Sequence, residues 1–217
     1  MPEDNSIHKS TSFGLASKVK DYFQLIKFTL SFMVVFSTVV SFLIGYKAEV
    51  YTNKLISVLL LFVAGMLITG SANAINQVLE KSSDALMKRT AKRPVASGRM
   101  SENEAIVFAV IAGAIGVVMM WVFFNFQSAM VSLFSLFLYG FIYTPLKKVN
   151  SISVLVGAIP GALPCLIGWV AATDDFSMGG WILFGIQFLW QFPHFWAIAW
   201  LAHKDYTAAG FKLLPGD

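Results

Sequence analysis

The sequence holds a single cysteine, Cys165. That excludes an internal disulfide and any cysteine-based metal centre, and its place in an apolar stretch beside Pro164 reads as packing. Charge is also scarce. Charged residues are 13% of the 217, about half the share of an ordinary soluble domain. Hydrophobic residues make up 57%, and the mean hydropathy is +0.68. A water-soluble core cannot hide that much apolar surface, so lipid is the solvent for most of the chain. Residues 1–16 are polar and mixed in charge, with no apolar run of the kind a cleavable signal carries. Residues 1–17 therefore read as a disordered cytoplasmic tail ahead of one transmembrane domain, 18–217.

What is present is a set of long charge-free runs. They lie between Lys27 and Lys47, Lys54 and Glu80, Glu104 and Lys147, Lys148 and Asp174, and Asp175 and Lys204. A spanning helix needs roughly 20 apolar residues. The run from Ala105 to Leu146 is twice that length and is expected to break at residues 125–128, which gives six spans. The fold class expected is all-α, a polytopic transmembrane helical bundle. Ahead of the first span, Val19, Tyr22, Phe23 and Ile26 follow helical spacing, as in a short helix lying in the interface.

The formal net charge of +4 is not a nucleic-acid signature, because of where the charge falls. With the N-terminus in the cytoplasm, the basic residues of the tail, of 81–99, Lys147, Lys148, Lys204 and Lys212 all lie inside, and only Lys47 and Lys54 lie outside. This is the positive-inside pattern; it predicts both ends in the cytoplasm and membrane lipid as the surrounding partner.

In a membrane protein the informative residues are polar ones that hydrocarbon should exclude. Two regions at the cytoplasmic ends of spans collect them. After the second span, Asn76, Glu80 and Asp84 follow at i, i+4 and i+8, on one face of a helix over a rise of about 12 Å. All three offer oxygen, the ligand type for magnesium rather than zinc or copper. Lys88, Arg89, Lys92, Arg93 and Arg99 come directly after. Carboxylates beside so many cations fit a metal bound to a polyanion such as a diphosphate. The spacing fits equally a basic surface loop with solvated acidic partners.

Gln191, Pro193 and His194 close the sixth span, and Asp205 follows it. His194 has four readings open: proton carrier, ligand to heme iron, partner of a substrate carboxylate, or a helix–helix hydrogen bond. Asp205 reads as a surface acid or as the holder of a second metal opposite Glu80 and Asp84. Lys147, in the segment that ends the fourth span, adds a cation on the same side. Gly157, Pro160, Gly161, Pro164 and Gly168 make the fifth span thin, which favours close packing or a cavity.

At these regions the sequence resembles the UbiA superfamily of intramembrane prenyltransferases. That superfamily carries Asn-x-x-x-Asp-x-x-x-Asp after its second helix and another acidic motif after its sixth. Here the first reads Asn76, Glu80, Asp84, and Asp205 stands in the second. Segments Met87–Pro94, Tyr143–Lys147, Val156–Pro164, Trp190–Phe195 and Asp205–Gly210 look like its heme-directed branch. Glu80 replaces the usual first aspartate, Ser82 and Ser83 stand where many relatives have another acid, and Asp205 is the lone acid of the second motif, where quinone-directed relatives have two. The superfamily has nine spans, so a chain ending after the sixth reads as C-terminally truncated.

The resemblance implies an enzyme of the bacterial plasma membrane that transfers a farnesyl group from farnesyl diphosphate to heme b. It implies Mg2+ held by Asn76, Glu80, Asp84 and Asp205, with Lys88, Arg89, Lys92, Arg93 and Lys147 on the diphosphate and His194 at the porphyrin. Heme A synthase or terminal-oxidase assembly factors are the protein partners it implies. Two alternatives stand beside it: prenylation of a quinone precursor or chlorophyll-type ring, and a non-catalytic transporter or assembly factor.

Overall fold

The computed structural model describes residues 14–212 and residue 214. All regular elements among them are helical: α1 (Leu15–Leu25), α2 (Phe28–Gly45), α3 (Lys54–Leu79), α4 (Lys81–Leu86), α5 (Glu102–Phe123), α6 (Phe126–Phe137), a π-helical turn (Leu138–Tyr143), α7 (Thr144–Leu146), α8 (Ser153–Thr173), α9 (Met178–Leu201) and α10 (His203–Ala208). Among the described residues six helical stretches are long and apolar enough to cross a bilayer: α2, α3, α5, the continuous stretch Phe126–Leu146, α8 and α9. The expected break falls at Phe124 and Asn125. Asn125 caps α6, its Oδ1 accepting from the Ser128 amide (2.8 Å), while its Nδ2 donates to the Val170 carbonyl of α8 (2.8 Å). One polar side chain thus starts α6 and ties the corner to the core.

The helix ahead of the first span begins at Leu15 rather than Lys18, so residues 15–17 are helical; the rest of the expected tail, residues 1–13, lies outside the described residues. Lys27 joins α1 to α2 in the left-handed region (φ 48°), a conformation uncommon for a residue with a Cβ. The elbow lays α1 across the end of the bundle where α3 stops and α5 starts. Arg99 holds it there: Nε donates to Asp21 Oδ1 (2.9 Å) and Nη2 to Gln24 Oε1 (2.8 Å). Arg99, one of the cations that follow the carboxylates in sequence, is thus an anchor for α1. Asp21 is buried with its second oxygen unpartnered. Removing Arg99 leaves that carboxylate uncompensated, at a cost of roughly 1–3 kcal/mol. Arg99→Ala is accordingly expected to speed amide hydrogen exchange through α1 while α8 keeps its protection.

α8 is the most buried of the six spans and α9 the least. Despite Pro160 and Pro164, α8 remains one helix. Its small residues allow backbones to approach closely, which is how spans associate where lipid offers no hydrophobic drive. A Cβ on Gly168 would collide with the Thr38 carbonyl oxygen of α2. Gly116 of α5 plays the same part against α3, where a Cβ would stand 2.7 Å from Ile68 Cγ1. Phe42, Leu61, Leu163, Leu166 and Val170 fill the core between these contacts. With six alternating spans, the loop 87–100, the α1 elbow, Lys147 and α10 all gather at one end of the bundle.

Candidate active site

The polar residues of that end converge on the close of α3. Asn76 and Glu80 are almost wholly buried, and Asp84 is fully buried. The single helix expected over 76–84 is interrupted: α3 stops at Leu79, Glu80 takes φ −98° and ψ 8°, and α4 begins at Lys81. The i→i+4 spacing survives the break, because the Glu80 amide donates to the Asn76 carbonyl (2.9 Å) and the Asp84 amide to that of Glu80 (2.7 Å).

Each of the three is met by a cation. Arg93 Nη1 lies 2.8 and 2.7 Å from the two Asp84 oxygens. Lys147 Nζ is 2.6 Å from Glu80 Oε1. Lys27 Nζ donates to Asn76 Oδ1 (2.7 Å). Around two buried carboxylates stand three basic side chains, so the cluster carries an excess of positive charge whenever Lys27 is protonated. The Lys27 amine feels it: burial first, then Arg93 and Lys147, push its pKa down to about 7, against a smaller opposing pull from Glu80 and Asp84. Desolvating a like-charged group beside others costs free energy that an arriving anion would return.

The π-helical turn fits Thr144 into this site. Thr144 Oγ1 donates to the Tyr139 carbonyl (2.8 Å) and accepts from Asn76 Nδ2 (3.3 Å). With Lys27 on Oδ1 and Thr144 on Nδ2, the Asn76 amide is held in one orientation, its oxygen toward the cations. Such turns often mark functional positions in helices. Tyr143, one residue earlier, packs on the bare face of Gly157, and Lys147 Nζ sits 4.8 Å from the Tyr143 ring centroid.

Of the other expected residues, Arg89 is turned to α10, its Nη2 donating to the Tyr206 hydroxyl (3.1 Å). Lys88 and Lys92 are exposed, and neither comes within ion-pair distance of Glu80 or Asp84. Asp205 is half-buried on α10. That helix is brought beside the loop by Tyr206, Ala209 and Phe211, which share a cluster with Met87, and by the Lys212 amide, which donates to the Lys147 carbonyl (2.8 Å). Among the described residues no three of His, Cys, Asp and Glu come together as a metal-holding group. The oxygens of Asn76, Glu80 and Asp84 are nonetheless the donor set a hard cation takes, with Arg93 and Lys147 on the two carboxylates. His194 is exposed on α9, its ring 6.4 Å from that of Trp190. The helix–helix hydrogen bond comes from Gln191 instead, whose Nε2 donates to the Gly161 carbonyl (3.3 Å). Lys27 went unnoticed in the sequence because a lone lysine before an apolar run reads as a boundary marker.

Six spans with a cation-rich polar site at one end of the bundle define an integral multi-pass membrane protein. Residues 34–216 match the UbiA prenyltransferase family, and the chain belongs to that family. It is 45% identical to a protein of Cytophaga hutchinsonii named protoheme IX farnesyltransferase, over 93% of this chain and 69% of that protein. It is 47% identical to one of the same name from Flavobacterium johnsoniae, over 94% of this chain and 67% of that one. The chain thus spans about two thirds of the length of these relatives. Among solved structures, a UbiA homolog from Archaeoglobus fulgidus bound to GPP and Mg2+ superposes with a TM-score of 0.72 at 16% identity, covering 88% of this chain and 67% of that one. A structure of digeranylgeranylglyceryl phosphate synthase gives 0.75 at 22% identity, over 91% and 68%. At these identities the structures speak to the fold, which is the expected helical bundle.

Proposed function

We propose that this chain is a prenyltransferase that moves a farnesyl group from farnesyl diphosphate to a vinyl group of heme b, giving heme O. The observation that carries it is the buried cluster of Lys27, Asn76, Glu80, Asp84, Arg93 and Lys147, with three cations around two carboxylates. The acceptor follows from proteins that share 45–47% identity with nine tenths of this chain and bear the heme farnesyltransferase name. The basic end of the bundle faces the cytoplasm of a bacterial inner membrane, by the bias of lysine and arginine.

The diphosphate takes the place at which Arg93 and Lys147 now meet Asp84 and Glu80, and both cations shift from the carboxylates to phosphate oxygens. Asn76, Glu80, Asp84 and Asp205 would hold Mg2+, which would supply charge neutralisation for the leaving diphosphate. The bond between carbon one and its oxygen breaks, with the electron pair leaving on the diphosphate. The π electrons of the heme vinyl group form the new carbon–carbon bond. Water adds to the resulting cation and loses a proton, which leaves a hydroxyethylfarnesyl side chain. Lys27, Arg93 and Lys147 stabilise charge as it builds on the diphosphate, while the apolar spans keep water from the allylic cation. His194, an exposed imidazole beside Trp190, is the residue proposed to contact the porphyrin.

The direct test is turnover in membranes containing this chain, with heme b, Mg2+ and labelled farnesyl diphosphate, with and without EDTA. EDTA-sensitive hydroxyethylfarnesyl heme is the expected product. Prenylation of a quinone precursor in its place would overturn the acceptor, and product formed equally in EDTA would overturn the metal. Lys27→Met is expected to raise the farnesyl diphosphate concentration for half-maximal rate about tenfold, on the order of one charge-assisted hydrogen bond, measured by substrate titration.

A further inference from the structure

On the lipid-facing side of the bundle, away from the polar site, a groove of about 540 Å³ runs between α3 and α5. Its walls include Leu67, Phe108 and Ile115, and its head is closed by Tyr22 from α1 and by Glu104. Both Glu104 oxygens lie 3.0 Å from Lys18 Nζ, and the Tyr22 hydroxyl donates to Oε1 (3.0 Å). From Glu104 to Ile115 the helix rises about 16 Å, close to half the roughly 30 Å hydrocarbon thickness. An apolar channel one leaflet long beneath a polar head has the proportions of a single phospholipid chain.

We propose that this groove binds one phosphatidylethanolamine molecule from the surrounding bilayer. The head supplies one cation and one carboxylate side by side, both partly exposed, and so matches a zwitterion rather than an anionic lipid. The lipid phosphate pairs with Lys18, and its primary ammonium donates to Glu104. A quaternary ammonium has no N–H to give, so phosphatidylcholine satisfies only half of the site. An anionic head group places uncompensated charge against Glu104. Because Lys18 and Tyr22 both belong to α1, the bound lipid also braces the helix whose elbow carries Lys27.

The test is photo-crosslinking of the purified chain in phosphatidylcholine vesicles holding a minor fraction of phosphatidylethanolamine with a photoreactive acyl chain. Adducts are mapped by mass spectrometry, with labelling of α6 as the internal reference. The expected result is enrichment on the α5 segment Val107–Ile115. Excess unlabelled phosphatidylethanolamine should compete it away, and equal phosphatidylglycerol should not. Glu104→Gln should cut that enrichment at least fivefold, as should Ile115→Trp, which fills the far end of the groove without touching the head. Even labelling of α5 and α6, or equal competition by phosphatidylglycerol, overturns the proposal. So does unchanged enrichment in both variants.

Discussion

Asp84→Asn is expected to lower turnover by a factor on the order of 10³, the scale of losing one preorganised electrostatic group at a reacting centre. Asp84 is also fully buried, and Arg93 donates to both its oxygens. Neutralising the carboxylate strands the guanidinium, and breaking a buried pair costs about 3–5 kcal/mol. Lower thermal stability in detergent should therefore accompany the lost activity. The double variant Asp84→Asn/Arg93→Gln separates the two effects: it should recover most of the stability and none of the turnover. A double variant that regained turnover would show that Asp84 serves only to hold Arg93.

Gly168→Ala is expected to produce the largest loss of stability of any Gly→Ala change among the described glycines. Its Cβ would collide with the Thr38 carbonyl oxygen and stand 3.0 Å from the Phe42 amide nitrogen. These are backbone atoms and cannot turn aside. α2 and α8 must separate, which uncovers Phe42 and Val170 in the core. Overpacking alone costs about 1–3 kcal/mol and more where the backbone has to move. Fluorescence-detected size-exclusion after graded heating would read it. Gly185, which faces open space on α9, is the control: Gly185→Ala should leave the profile in place.

The reading of the spans needed little beyond composition. Charge-free runs of the right length leave few alternatives in a solvent that cannot hydrogen-bond an open backbone. Even the break at Asn125 is legible, since polar residues interrupt an apolar run too long for one crossing. The site was legible in part. The spacing of Asn76, Glu80 and Asp84 is a local property, and local hydrogen bonds preserve it through a break in the helix that spacing could not foretell. Which cation meets which carboxylate is another matter. Arg89, Lys92, Arg93 and Arg99 lie within eleven residues of one another and are chemically alike, yet only Arg93 reaches Asp84, while Arg89 turns to Tyr206 and Arg99 to Asp21.

By itself, then, the sequence determined the solvent, the number of crossings, the end of the bundle at which charge collects and the oxygen ligands available there. Each depends on residue type and near-neighbour spacing, and hydrocarbon penalises any other arrangement heavily. Tertiary structure decided the rest. The left-handed elbow at Lys27 brings an amine from residue 27 onto an amide at residue 76, and Thr144 arrives on the same amide through a π-helical turn. Those contacts join residues 49 and 68 positions apart, and separations of that size are set by the packing of α2 on α8 and α3 on α5, which no local pattern encodes.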